Sequence, residues 1–306
     1  MKAMQYFTPL WWACLCLWAV ACQPKSTSEN KVQTDEANTK PTQTIKDSSQ
    51  SKTDDAPKPI GKVEGYYTGV FEPTNFDSKN DVYHANKITI SIDSLDKTQQ
   101  WLYGHSIVAG NKRPFKGTYQ LTDSGYVAKV KEPGDNRYDG QFRFTIKPDQ
   151  QSLSGTWEAF RKDFSATATR YVLKRKTFKY ESSLGLPPGV EWGVLYNHAL
   201  MMGHTRKGER LSGDVVKLNA SAKALKKEDV ANLYRGDLEV IRNAIYARHG
   251  YSFKNRKMRF VFDHIDWYMP ISIDVRNELT DLEKKNIDLL KRYENHAARY
   301  YDVFGR

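Results

Sequence analysis

Cysteine is scarce in this chain: three in 306 residues, Cys14, Cys16 and Cys22, all within the first 22 positions. Nothing beyond residue 22 can form an internal disulfide, act as a thiolate nucleophile or build a cysteine metal cluster. Other metal ligands are also poorly arranged. His198 and His204 stand six apart with no third ligand near them in sequence, which fits surface histidines better than zinc. Glu132, Asp135, Asn136 and Asp139 offer oxygens to a cation, but without the alternating acids of a calcium loop, and such residues are common turn formers. No metal and no cofactor are expected. Long apolar runs are lacking too, since Phe7 to Ala21 is too short and too close to the terminus for a typical spanning helix. Nor is the charge concentrated. The net +11 divides into about +5 over residues 63 to 180 and about +4 over residues 181 to 306, counting Lys and Arg against Asp and Glu. A specific nucleic-acid binder gathers its charge on one element, so a nucleic-acid partner is not expected. A spread excess suits an anionic membrane or wall polymer better.

The chain opens Met1-Lys2, continues through the apolar run and reaches small residues before Cys22. Ala19-Val20-Ala21-Cys22 resembles a bacterial lipoprotein signal, with Ala19 where leucine is usual. The resemblance implies cleavage before Cys22 and acylation of that cysteine, palmitate included, so that the partner at this end is the membrane. Several acyl chains anchor stably, because each buried methylene contributes about 0.8 kcal/mol and one chain alone is marginal. The alternative is an ordinary secretory peptide cleaved near Ala21. Residues 23 to 62 are dominated by Ser, Thr, Lys, Asp, Asn, Gln and Pro. Such a composition cannot offset its ordering entropy and reads as a tether, with a reach on the order of 35 Å.

From residue 63 to 180 apolar and polar residues alternate in short runs. Strands are expected at Val63 to Phe71, Lys87 to Ile92, Trp101 to Val108, Phe115 to Leu121, Tyr126 to Lys131, Gln141 to Ile146, Ser152 to Ala159 and Thr167 to Leu173. Asp123-Ser124-Gly125, Pro133-Gly134-Asp135, Asp139-Gly140 and Pro148-Asp149 supply turns between them. Eight such strands predict one antiparallel β-barrel or sandwich. Glycine recurs beside aromatics, as in Gly65-Tyr66-Tyr67, Gly117-Thr118-Tyr119 and Gly155-Thr156-Trp157, a pairing that suits the bends of a small barrel. In general style this region resembles lipocalin and avidin barrels. Its interior is either a ligand cavity or a packed core.

Residues 181 to 220 connect the barrel to the C-terminal part of the chain, and their pattern decides neither helix nor strand. The densest signal comes next, from Leu238 to Tyr251, LEVIRNAIYARHGY. Leu238, Ile241, Ile245 and His249 fall on one helical face, and Gly250 suits a left-handed C-cap. A short helix is expected over Lys227 to Leu233, a break at Gly236, and another helical segment over Met258 to Phe262. Thr280 with Glu283 forms a capping box that opens a last helix carrying Leu282, Ile287, Leu290 and Tyr293 inward. The fold class is therefore α+β multidomain, a barrel or sandwich followed by a small helical bundle over residues 221 to 296.

Arg242-Asn243, the run Tyr246-Ala247-Arg248-His249-Gly250, Phe253, Trp267-Tyr268, Pro270, Glu283 and Asn286 together resemble the YARHG domain, over residues of about 225 to 294. The resemblance implies a small module of the bacterial envelope and brings no assigned activity. It agrees with a lipid-anchored protein at the periplasmic face of the outer membrane or at the cell surface. Binding residues are expected among Arg242, Asn243, Tyr246, Arg248, His249, Trp267 and Tyr268. Arg248 with Lys254, Arg256, Lys257 and Arg259 would form a basic cluster beside aromatic rings, suited to carboxylates, phosphates and sugar faces. Peptidoglycan or another anionic wall polysaccharide is the expected partner, of a binding or scaffold protein. Alternatively, Arg242 and Arg248 pair with Glu239, Asp263 or Asp266 to fix the bundle. Two further readings stand beside these, a small ligand in the barrel and a hydrolase using His249 as general base. No nucleophile motif or paired carboxylate set accompanies that histidine.

Overall fold

The computed structural model describes residues 61–76, 84–188 and 211–300. The expectations for the signal segment, Cys22 and the tether up to residue 60 lie outside the described residues, as do His198, His204 and Arg206-Lys207-Gly208. Alternation of inward apolar and outward polar side chains, clearest in β5, β6 and β8, forms eight strands: β1 Gly65–Asn75, β2 Asn86–Asp96, β3 Trp101–Val108, β4 Asn111–Thr122, β5 Gly125–Lys131, β6 Gly140–Lys147, β7 Ser152–Ala159 and β8 Ala168–Lys176. Each pairs antiparallel with the next, and β1 closes on β8 to make a barrel. Closure leaves no free edge.

Four strands run at least three residues further than the alternation indicated: β1, β2, β4 and β8, with β2 passing a bulge between Ile92 and Ser94. β1 continues past Pro73 because the Asn75 side chain pairs with the next chain segment, its Oδ1 accepting from the Thr167 and Ala168 amides at 3.1 and 2.7 Å. β4 begins at Asn111 because Ala109 and Gly110 both take positive φ, 50° and 74°, making a two-residue hairpin turn. Alanine is an unusual residue for that conformation, which hides the turn from sequence reading.

The middle of the barrel is packed. Tyr67, Phe115, Phe142, Tyr171 and the β2 isoleucines Ile88, Ile90 and Ile92 fill it. Phe71 meets Trp157 and Tyr171 at 5.7 and 5.8 Å between ring centroids, in the edge and tilted arrangements that aromatic quadrupoles favour.

The helical part has its own core. Its elements are a 3-10 turn at Gly213–Val216 and, among the described residues, four helices: α1 Lys227–Val230, α2 Arg235–Arg248, α3 Arg256–Phe262 and α4 Asp281–Tyr300. The expected break at Gly236 does not occur. Gly236 lies in the first turn of α2, where Asp237 caps the helix by accepting from the Tyr234 amide at 3.2 Å and from Ser212 at 2.6 and 3.0 Å. Leu186, Leu211, Val215 and Ala220 also join the helical core, so much of the described connecting region packs with this module.

The barrel and the helical part share one seam. Asp263 at the end of α3 stands 3.0 Å from His84 Nε2 and accepts from the Lys87 amide at 3.0 Å. The Lys87 ammonium donates to the Ile265 carbonyl, and burial brings its pKa down to about 8 against the opposing pull of Asp263. The β3–β4 hairpin tip docks here as well, with the Gly110 amide donating to Ser252 Oγ at 3.0 Å. A Cβ at Gly110 would collide with Lys254.

Candidate functional site

Helix α2 places the motif. Leu238, Ile241 and Ile245 are buried against the other helices, and Gly250 at φ 73° ends the helix. The Tyr251 amide donates to Tyr246 O at 3.0 Å and the Gly250 amide to Ala247 O at 2.9 Å, the paired bonds of a Schellman cap. This termination turns Arg248 and His249 into the module rather than out of it.

Arg248 is only 2% exposed. Its Nε donates to the Leu184 carbonyl at 2.7 Å, one Nη reaches Ser221 Oγ at 3.4 Å, and the guanidinium stands 5.9 Å over the Trp267 ring. Burial lowers its pKa to about 10, with Glu283 and Tyr180 pulling the other way. His249 Nε2 lies 2.8 Å from Glu283 Oε2, and its ring stacks on Tyr180 at 4.2 Å and 19°. Tyr180 donates to the other Glu283 oxygen at 3.0 Å. Thr280 and Glu283 form the expected capping box, with the Thr280 amide donating to Glu283 at 2.9 Å and the Glu283 amide to Thr280 at 3.2 Å. Burial alone would raise the Glu283 carboxyl, but the bonds from His249, Ser221 and Thr280 outweigh it and hold the pKa at about 2.

The remaining predicted residues separate. Arg242 grips Glu294 of α4 through two bonds of 2.9 and 3.2 Å. Trp267 donates to the Gly185 carbonyl at 2.8 Å, and Tyr268 is buried with its hydroxyl on the Tyr251 carbonyl at 2.7 Å. Asn243 donates to the Glu239 carbonyl at 2.8 Å. With Tyr246 and Tyr251 it lines a surface cleft of about 410 Å³ rimmed by Arg276.

Arg242 takes Glu294 as its bonded ion-pair partner, with Glu239 adding a pull through space, and Arg248 is bonded to Leu184 and Ser221. Glu239 pairs with Lys257, and Asp263 belongs to His84 and Lys87. The single basic cluster is also not assembled. Arg248 faces Leu184, whereas Arg259 turns to Asn86 and the Lys254 carbonyl. Tyr180, Leu184, Gly185 and Ser221 complete the network and had no motif to announce them, since two act through backbone carbonyls. Asn286 orders the adjoining loop, accepting from the Leu225 amide at 3.0 Å and donating to Ala220 and Lys223 carbonyls at 2.8 Å.

A second candidate lies at the end of the barrel facing α3. There the packed interior opens into a cavity of about 430 Å³, with Phe71, Phe142 and Trp157 as its apolar wall and Arg256 and Arg259 of α3 at its rim. Buried Glu132 accepts from Ser106 Oγ and the Gly140 amide at 2.8 Å each and from Trp157 Nε1 at 3.3 Å. Burial outweighs these bonds and pushes the carboxyl up to about 7. Next to it Arg113 holds Asp139 through two bonds of 2.8 Å and also contacts Asp135. Two members of the oxygen set that the sequence could offer to a cation, Asp135 and Asp139, are thus taken by a guanidinium. Thr169, also on the cavity wall, is 4% exposed, and its hydroxyl has no hydrogen-bond partner among the described residues.

No curated protein and no solved structure matches the chain. Residues 214–295 match the family model of the YARHG domain, and they contain most of the helical core, Glu283 and His249 of the hub and the Schellman-capped helix just described. The C-terminal part of this chain is therefore a YARHG domain, a module of extracellular and envelope proteins, standing behind an eight-stranded barrel.

Proposed function

We propose that this is a lipid-anchored binding protein of the cell envelope whose barrel holds a small ligand at the end covered by α3. The cavity carries the reading. Its volume of about 430 Å³ falls in the range of small-molecule sites, which combine apolar walls with a few convergent polar groups. Here those groups are the Glu132 carboxyl and the unpartnered Thr169 hydroxyl. Buried polar groups are almost always hydrogen-bonded, and an orphan on a cavity wall calls for an explanation. A ligand with an apolar or aromatic body and a hydrogen-bonding group would supply one. In this reading the YARHG domain covers the barrel mouth, holding α3 over it through Asp263, His84 and Lys87, while Cys22 and the tether keep the barrel near the membrane.

The test uses the full chain, purified from its own envelope fraction and examined by native mass spectrometry for a co-purifying small molecule. In parallel it is titrated with 1-anilinonaphthalene-8-sulfonate as an apolar probe. One saturable site, lost in Thr169→Phe and weakened in Glu132→Gln, is expected. Absence of a bound molecule together with probe binding unaffected by both substitutions would refute the proposal.

A further inference from the structure

The outer face of the barrel carries a second feature. On β3 the Trp101 and Tyr103 rings form a stacked pair, 6.4 Å between centroids and 26° between planes, with Tyr103 exposed to solvent. Across the ladder Tyr103 faces Lys116, and Lys116 faces Lys131. In the neighbouring row Trp101 faces Thr118, Thr118 faces Lys129, and Lys129 faces Arg143. Two like-charged pairs therefore stand directly cross-strand, Lys116 with Lys131 and Lys129 with Arg143. Like charges so placed destabilise a sheet, and folding alone gives no reason for them.

Neighbouring acids compensate them only in part, Glu158 reaching Arg143 through space while bonded to Lys162. Among the described residues Lys116, Lys129 and Lys131 make no ion pair. Asp93 is engaged by Ser91 at 2.6 Å and His105 at 2.9 Å, Glu132 turns into the barrel, and Glu158 pairs with Lys162 at 2.9 Å. Two concavities of about 850 and 620 Å³ meet on this face, with Thr118 and Lys129 lining both. They join into one groove across β3 to β7, on the order of 20 Å at the usual strand spacing. That length suits a polymer better than a single ion.

We propose that this groove binds an acidic polysaccharide, with a sugar face on Trp101 and Tyr103 and its carboxylate or phosphate groups on Lys116, Lys129, Lys131 and Arg143. The Thr118 hydroxyl lies between Trp101 and Lys129, and those of Ser154 and Thr156 continue the lining beyond Arg143, where sugar hydroxyls would meet them. A single-stranded nucleic acid would call for aromatic platforms repeated along the groove, and the aromatic pair stands at one end only. The groove is separate from the barrel-end cavity, so either site can fail without the other.

Calorimetric titration of the full chain with polygalacturonate, neutral dextran and a single-stranded oligonucleotide, at low and high salt, tests this. Polygalacturonate should bind and lose affinity with salt, as exposed charge pairs do, and dextran should bind far more weakly. Combining Lys116→Glu with Lys129→Glu should weaken polygalacturonate binding at least about tenfold while raising Tm, because each new carboxylate faces a cation. A purely structural patch would show the Tm rise without the affinity loss. That result, no salt-sensitive binding of polygalacturonate, or tighter binding of the oligonucleotide would each overturn the proposal.

Discussion

Arg248 and Trp267 donate to consecutive carbonyls of one chain segment, Arg248 to Leu184 at 2.7 Å and Trp267 to Gly185 at 2.8 Å, with the guanidinium over the indole. Two signature residues far apart in the module thus clasp the chain that leaves the barrel. Their chemistry, cation and aromatic, is used on the protein's own backbone.

Arg248→Ala should destabilise the protein by about 3 kcal/mol, because it removes a buried side chain and leaves the Leu184 carbonyl without its charged donor. Arg248→Lys should recover only part of this, since an ammonium does not reproduce the planar fork. Urea unfolding midpoints of the three proteins check the order.

Glu283 sets an acid limit. Its folded pKa of about 2 lies below the ordinary 4.5, so its contribution is present above pH 4.5 and disappears as the pH falls toward 2. Glu283→Gln should lower stability at neutral pH and flatten this part of the stability–pH curve. Equilibrium unfolding between those limits measures both effects.

Glu132 acts with the opposite sign. A carboxyl raised to about 7 in the folded state binds a proton that the unfolded chain has already released, so stability declines as the pH rises from about 4.5 to 7. Glu132→Gln should remove that decline and be the more stable protein at pH 8. A variant less stable than the parent at pH 8 would contradict the burial assigned to this group.

Gly250→Ala should destabilise by about 2 kcal/mol, combining the left-handed φ of 73° with a Cβ that would come within 2.4 Å of the Ile271 side chain. Thermal unfolding checks the size. Gly185→Ala, where nothing lies within 4 Å of an added Cβ, serves as the neutral comparison.

The barrel was largely legible from the sequence because alternation is a local signal, and all eight strands follow from it. Ala109-Gly110 escaped because alanine rarely takes a positive φ, and the extension to Asn75 because it rests on side-chain bonds to Thr167 and Ala168. In the module, the helix and its glycine cap were readable, but the direction of its cations was not. Periodicity set Leu238, Ile241 and Ile245 inward and left Arg248 to be read as a ligand-binding cation or a member of an ion pair. Its partners are the Leu184 carbonyl and the Ser221 hydroxyl, 64 and 27 residues away, and neither has a sequence signature. The Thr169 hydroxyl was equally hidden, because an inward threonine looks like any other barrel position until its neighbours are known.

Closure of β1 on β8 also dictates an order of events. Gly65–Asn75 finds its last partner only when Ala168–Lys176 arrives, so the barrel waits for almost all of its own chain. Tyr180, which the Glu283 hub requires, follows that last strand by only four residues. Loop closure over such a separation is slow, whereas helices α2 and α4 pair over a shorter one. The final docking of His249 and Tyr180 should therefore report completion of the barrel, making the stacked pair a natural late marker in a refolding experiment.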